Sequence, residues 1–102
     1  MEITKLTKQL KAISDQYAKT YNLKRTHEWY LLKIQEELGE LTQSYLRMKN
    51  VAPNKGKSQI ELEQAFKEEV ADVICHTLLL ADQNNINVEQ IIQTKWLNKK
   101  TT

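Results

Sequence analysis

The chain has 102 residues, about one domain's worth, and it is 40 % hydrophobic and 27 % charged, which excludes a disordered polymer. Two glycines and one proline exclude collagen-like and turn-rich all-β architectures. Fifteen Lys and Arg against thirteen Asp and Glu leave a formal charge of +2, too weak a bias to argue for nucleic acid as a partner.

The first apolar stripe, Ile3, Leu6, Leu10, Ile13 and Tyr17, recurs at helical spacing. A second stripe follows in Leu31, Ile34, Leu38, Leu41, Tyr45 and Met48, on a helix expected to start after Thr26 as N-cap and to end near Lys49. Pro53, Asn54 and Gly56 mark residues 50–57 as a loop. Ser58-Gln59-Ile60-Glu61 is a capping-box signature for a third helix, which runs to about Gln83 and stops at Asn84-Asn85. Asn87 then caps a short last helix carrying Val88, Ile91, Ile92 and Trp96. The expectation is one all-α domain of four helices over residues 1–102.

No apolar run is longer than Leu78-Leu79-Leu80-Ala81, and a membrane span needs roughly 20 residues, so no membrane partner is expected. The start of the chain carries no apolar signal segment. Cys75 has no intrachain disulfide partner, which suits a reduced compartment, most simply the cytoplasm. Over residues 70–81 the third helix is apolar around nearly its whole circumference. Such a helix is buried on all sides, and three other helices are too few to cover it, so at least a homodimer is expected.

Charge alternates along the chain: residues 1–25 are basic, residues 28–40 acidic, residues 47–57 carry four cations and no acid, and the tail adds Lys95, Lys99 and Lys100. Within this pattern one hexapeptide occurs twice, Glu36-Glu37-Leu38-Gly39-Glu40-Leu41 and Glu68-Glu69-Val70-Ala71-Asp72-Val73. Residues three apart share a helix face, so Glu37 projects with Glu40, and Glu69 with Asp72. The small Gly39 and Ala71 would let a helix or ligand approach closely. Carboxylates converging between two helices repel unless a cation sits among them. All-oxygen ligands select hard divalent ions, Mg²⁺ or Mn²⁺ before zinc. Open coordination positions would then suit metal-assisted hydrolysis of a phosphoanhydride. The competing reading is a set of solvated acids supported by nearby lysines.

Other residues carry less. His76 falls on the acidic face, four after Asp72 and seven after Glu69; it is either a partner for a carboxylate or phosphate or an ordinary half-buried histidine. Neither His27 nor His76 has a Glu three residues before it, which sets aside a di-iron carboxylate bundle. Gly56-Lys57-Ser58 mimics the end of a P-loop, but the earlier glycine is absent. The Lys55/Lys57 loop is either an arm that touches phosphate or an ordinary solvated loop. Cys75, in apolar sequence, reads as core.

The order Glu36-Glu37-x-x-Glu40, then Glu69-x-x-Asp72 after 28 intervening residues, resembles the MazG-like all-α nucleoside triphosphate pyrophosphatases. The likeness extends to the Leu38-Gly39-Glu40-Leu41 context, to Asp72-Val73 at the start of an apolar run, and to Lys95-Trp96-Leu97, and it covers roughly residues 27–97. The resemblance implies a helical homodimer or homotetramer that hydrolyses a (deoxy)nucleoside triphosphate, non-standard ones among them, to monophosphate and pyrophosphate with Mg²⁺. It implies Glu37, Glu40, Glu69 and Asp72 as metal ligands. Glu36 would be a further ligand or orient the attacking water, and Lys95 would contact phosphate. Lys33, Trp29 and His76 complete the candidate substrate contacts; Trp29 and Tyr30 are the candidate surfaces for a base, core packing being the simpler role for one of them. The alternative is a catalytically weak module that binds nucleotide or a protein and keeps the acids as a regulatory metal site.

Overall fold

Local capping chemistry fixes most of the helix boundaries. The computed structural model describes residues 2–98; Met1 and residues 99–102, with the tail lysines Lys99 and Lys100, lie outside them. α1 spans Glu2–Thr20 and closes with Asn22 in a left-handed turn (φ 50°), where Leu23 N–H donates to Ala18 O at 2.8 Å. α2 spans His27–Met48, with the Thr26 hydroxyl accepting from Trp29 N–H. α3 spans Gln59–Gln83 and opens on a complete capping box: Ser58 Oγ accepts from Glu61 N–H, and Glu61 Oε1 from Ser58 N–H. Asn85 (φ 56°) ends it in the left-handed conformation.

The last helix differs from expectation. α4 is only Val88–Ile92, capped by Asn87 Oδ1, and the chain then widens into a π-helical turn, Gln93–Leu97. Asn98 N–H donates to Gln93 O at 2.8 Å, the wider five-residue spacing. The Thr94 hydroxyl donates to the Gln90 and Ile91 carbonyls at 3.1 and 3.2 Å, covering acceptors near the point where the helix widens.

α2 and α3 form an antiparallel hairpin. Its register shows in facing pairs: His27 with Gln83 at 3.3 Å, Trp29 with His76, Tyr45 with Phe66, and Met48 O with Gln59 Nε2. α1 packs against α3 and α4, with Thr4 N–H donating to Glu89 Oε1 at 2.9 Å. Arg25 ties α1 to α2. It donates to Ser14 Oγ at 2.7 Å and Asp15 Oδ1 at 2.6 Å and stacks over Tyr30. The described residues are all-helical, with no strand among them, and no helix among them is long and apolar enough to cross a membrane.

The core is thin. Ala18, Tyr30, Leu62, Leu78, Leu79 and Ala81 are buried. Leu31, Leu38 and Tyr45, half of the apolar stripe expected to anchor α2, are 45–54 % exposed. The most buried residues of α2 are instead Tyr30, Glu37 and Ser44. This face is turned slightly from the expected one, because the acid-bearing side of α2 meets α3. The circumferentially apolar stretch of α3 is likewise covered in part: Leu78, Leu79 and Ala81 are buried, but Ile74 is 54 % exposed. Gly39 is not a point of close approach within this chain, since a Cβ there would meet nothing within 4 Å.

The capping box makes a testable claim. Ser58→Ala should destabilise the chain by about 1 kcal/mol, the usual value of a lost N-cap, measured as a lower urea midpoint at unchanged slope.

Candidate metal centre and its cavity

The α2–α3 register brings the two acidic hexapeptides side by side. Glu37, Glu40 and Glu69 each offer a carboxylate oxygen, and the three oxygens lie within 4.8 Å of one another. Glu37 is buried, at 7 % exposure. Its Oε1 faces Lys33 Nζ at 3.6 Å and His76 Nε2 at 3.8 Å, while its Oε2 is buried with no hydrogen-bond partner among the described residues. Glu69 Oε2 is orphaned in the same way. A buried acceptor left unpaired costs of order 1–3 kcal/mol, so two in one seam mark a place built for a donor or cation. The donors are all oxygen, and the three glutamates could hold a metal.

The protonation behaviour agrees. The Glu69 carboxyl is pushed above its ordinary range by burial, then by the charges of Glu40, Asp72 and Glu37. Glu40 is raised as well, chiefly by the closeness of the Glu37 carboxyl and by that residue's charge. Burial works against the Lys33 ammonium, but the hydrogen bond to Glu36 and the charges of Glu36 and Glu37 overcome it and hold it above its ordinary value.

The other candidate residues divide into three groups. Asp72 does not join the oxygen cluster; it lines a cavity of about 510 Å³ beside it, together with Lys33, Glu37, His76 and Trp29. Glu36 turns outward, its side chain 58 % exposed and bonded to Lys33 Nζ at 3.3 Å. Lys95 is remote within one chain. It sits on the π turn beyond α4, and about 21 Å of α3 already separates Glu69 from the helix end at Gln83.

The cavity also has a wall that sequence reasoning missed. Leu10, Ile13, Ser14 and Tyr17 of α1 close it opposite Trp29 and Leu79. Their helical spacing marked a common face, but nothing local to α1 indicated that this face would look toward the acids. The result is a cleft whose lining mixes aromatic and aliphatic walls with Lys33, Glu37, Asp72 and His76, in the size range of small-molecule sites.

The raised carboxyls give a pH dependence of definite sign. A carboxyl with a raised folded pKa contributes stability below its unfolded value, about 4.3 for Glu, and loses it as pH rises through the folded value. In chelator, the melting temperature of Glu69→Gln should therefore fall less than that of the parent between about pH 4.3 and neutrality. The comparison isolates Glu69 from Asp15, whose carboxyl is lowered by hydrogen bonds to Lys11 and Arg25 and acts with opposite sign. Parallel pH profiles would count against a strained seam. No family model, curated protein or solved structure matches the chain.

Proposed function

We propose that the chain is a Mg²⁺- or Mn²⁺-dependent nucleoside triphosphate pyrophosphatase. The observation that carries this reading is the cluster of three carboxylate oxygens, two of its glutamates with orphaned buried atoms, joined through Glu37 to the aromatic-walled cavity. An acid cluster alone would suit many cations. A cleft that combines Trp29 and Tyr17 with Lys33 suits a ligand that is planar and apolar at one end and polyanionic at the other, which describes a nucleotide.

Glu37, Glu40 and Glu69 would hold the cation, with Asp72 completing the set from the cavity side. A bound divalent ion would neutralise phosphate oxygens and lower the pKa of an attacking water. Trp29 and Tyr17 sandwich or edge the base. Lys33, which in the free chain joins Glu36 to Glu37, turns to a phosphate when the acids take a cation. Glu36, held beside the seam without entering it, is the acid left to orient or deprotonate water. The water oxygen bonds to the α-phosphorus as the bond from that phosphorus to the α–β bridging oxygen breaks. The bridging oxygen leaves with the electron pair as part of pyrophosphate, and the water proton passes to the carboxylate. The choice of this bond rests on the likeness to the MazG-like enzymes.

The same reading includes a second copy of the chain. The accessible surface is 8118 Å², roughly 2,100 Å² more than the ~6,000 Å² expected of a compact chain of this mass. The radius of gyration is 16.5 Å, against about 13 Å for this length. The stripe Leu31, Leu38 and Tyr45 is about half exposed, as is Ile74 of α3, and obligate dimers bury ~2,000–5,000 Å² in total. Lys95, remote from the acids of its own chain, contacts phosphate only if such a copy presents it.

Two experiments check these claims. A panel of nucleoside triphosphates assayed for pyrophosphate release should show activity with Mg²⁺ and none in excess chelator. Glu36→Gln should lose roughly 10²–10⁴-fold in turnover, and Glu40→Gln should lose Mg²⁺ affinity by calorimetry. Orthophosphate as first product, or full activity in chelator, would favour the binding-module alternative. For assembly, Leu38→Glu should convert an oligomer into a folded monomer by sedimentation. Leu79 is unsuitable for this purpose, because it is buried within one chain. A parent protein that sediments as a monomer at micromolar concentration would refute the oligomer.

A further inference from the structure

The α2–α3 turn is built more firmly than a solvated loop requires. Asn50 (φ 61°) ends α2 in the left-handed conformation, and Val51 and Ala52 N–H both donate to Leu46 O, at 2.8 and 3.1 Å. Lys55 and Gly56 then take consecutive positive φ values of 54° and 77°, as in a mirror-image β-turn. Lys57 N–H donates to Asn54 O at 3.1 Å, and Gly56 N–H to Asn54 Oδ1 at 2.9 Å. This turn folds Lys55 and Lys57 back over the end of α2, where they close a small cavity of about 60 Å³ with Ser44, Arg47 and Asn54.

The floor of that cavity is the informative part. Ser44 is 7 % exposed, lines the cavity, and its hydroxyl has no hydrogen-bond partner among the described residues. Serine in a helix commonly satisfies itself on the carbonyl four residues back, as Thr42 and Thr77 do here; Ser44 does not. Arg47, Lys55 and Lys57 form no ion pair among the described residues, and no acid lines the cavity. The nearest acid in sequence, Glu61, is occupied by the N-terminal cap of α3. A buried free hydroxyl beneath three unpaired cations is a receptor for a small oxyanion.

Its position relates it to the acids. Ser44 lies four residues beyond Glu40 on α2, and Ala65, on the opposite wall, lies four before Glu69 on α3. Each interval is one helical turn, about 6 Å. The groove between the two helices therefore runs from the aromatic cavity, past the carboxylates, to this cup. We propose that Ser44, Arg47, Lys55 and Lys57 bind the terminal phosphate of the substrate triphosphate and hold the departing pyrophosphate. The proposal rests on the pyrophosphatase reading for its ligand, and it sets the direction of the substrate: base at the Trp29 end, γ-phosphate at the turn.

The test uses inorganic pyrophosphate and a nucleoside monophosphate as separate probes, titrated calorimetrically onto the full chain with Mg²⁺. Ser44→Ala and Lys57→Gln should each weaken pyrophosphate by roughly tenfold and leave the monophosphate unchanged. Ser44→Ala should not lower the melting temperature, because the hydroxyl it removes is unpartnered. Lys19→Gln on α1 removes equal charge far from the groove and should leave pyrophosphate binding intact. Unchanged pyrophosphate affinity in both cup variants overturns the proposal even if triphosphates are hydrolysed, and so does a parallel loss of monophosphate. Pyrophosphate binding that is lost in the variants of a chain that hydrolyses no triphosphate supports the cup while refuting the enzyme.

Discussion

Two helices, α2 and α3, meet with glutamates on both sides of their seam, and the repulsion between those carboxylates governs what surrounds them. Apolar packing at Tyr30, Leu62, Leu78 and Leu79 holds the hairpin shut at a separation the acids would not choose. Lys33 offsets part of the charge from one side of Glu37, where His76 Nε2 also faces the carboxylate. What remains uncompensated is one oxygen on Glu37 and one on Glu69, in the cluster of glutamates that could hold a metal. Like charges brought together in this way raise the energy of the empty seam.

The parts of the fold legible in sequence were those decided within a few residues. Thr26, Ser58 and Asn87 each bond to the backbone three positions away, so their chemistry needs no tertiary partner to be recognised. The pairing of the acidic hexapeptides was legible for a related reason: helical spacing alone puts Glu37 beside Glu40, and a short loop makes the two helices neighbours. What was not legible depended on rotation and on distant elements. An apolar stripe states that one face avoids water without stating which neighbour covers it. Leu31, Leu38 and Tyr45 stay about half exposed within this chain, although Tyr45 meets Phe66 of α3. The aim of Asp72 into the cavity rather than the oxygen cluster is a difference of one helical step across a curved seam. The α1 wall of the cavity arises from a crossing between elements some sixty residues apart, for which no local pattern exists.

Charge placement along the groove completes the picture. An acidic centre flanked by a lysine-bearing aromatic cleft on one side and a basic turn on the other is polar along its length, although the chain as a whole is near neutral at +2. The sum of charges conceals this order, because the cations of residues 47–57 cancel the acids of residues 28–40 in the total, although Arg47 stands only about two helical turns beyond Glu40 on α2. Screening by salt acts within about 10 Å, comparable to these separations, so the alternation is felt by a ligand lying in the groove and not by one approaching from afar.

The π-helical turn of Gln93–Leu97 has a consequence for how this chain can change over time. A π turn is equivalent to one residue inserted in an α-helix. Each residue turns a helix by about 100°, so deleting any single residue from that stretch would restore regular winding and swing Trp96, Leu97 and everything after them around the axis by that angle. A surface loop absorbs the loss of a residue with little effect; this segment converts it into a rotation. Insertions and deletions near the end of the chain therefore act as changes of heading, and the Thr94 hydroxyl, bonded to two carbonyls at the point of widening, is the latch that keeps the present one.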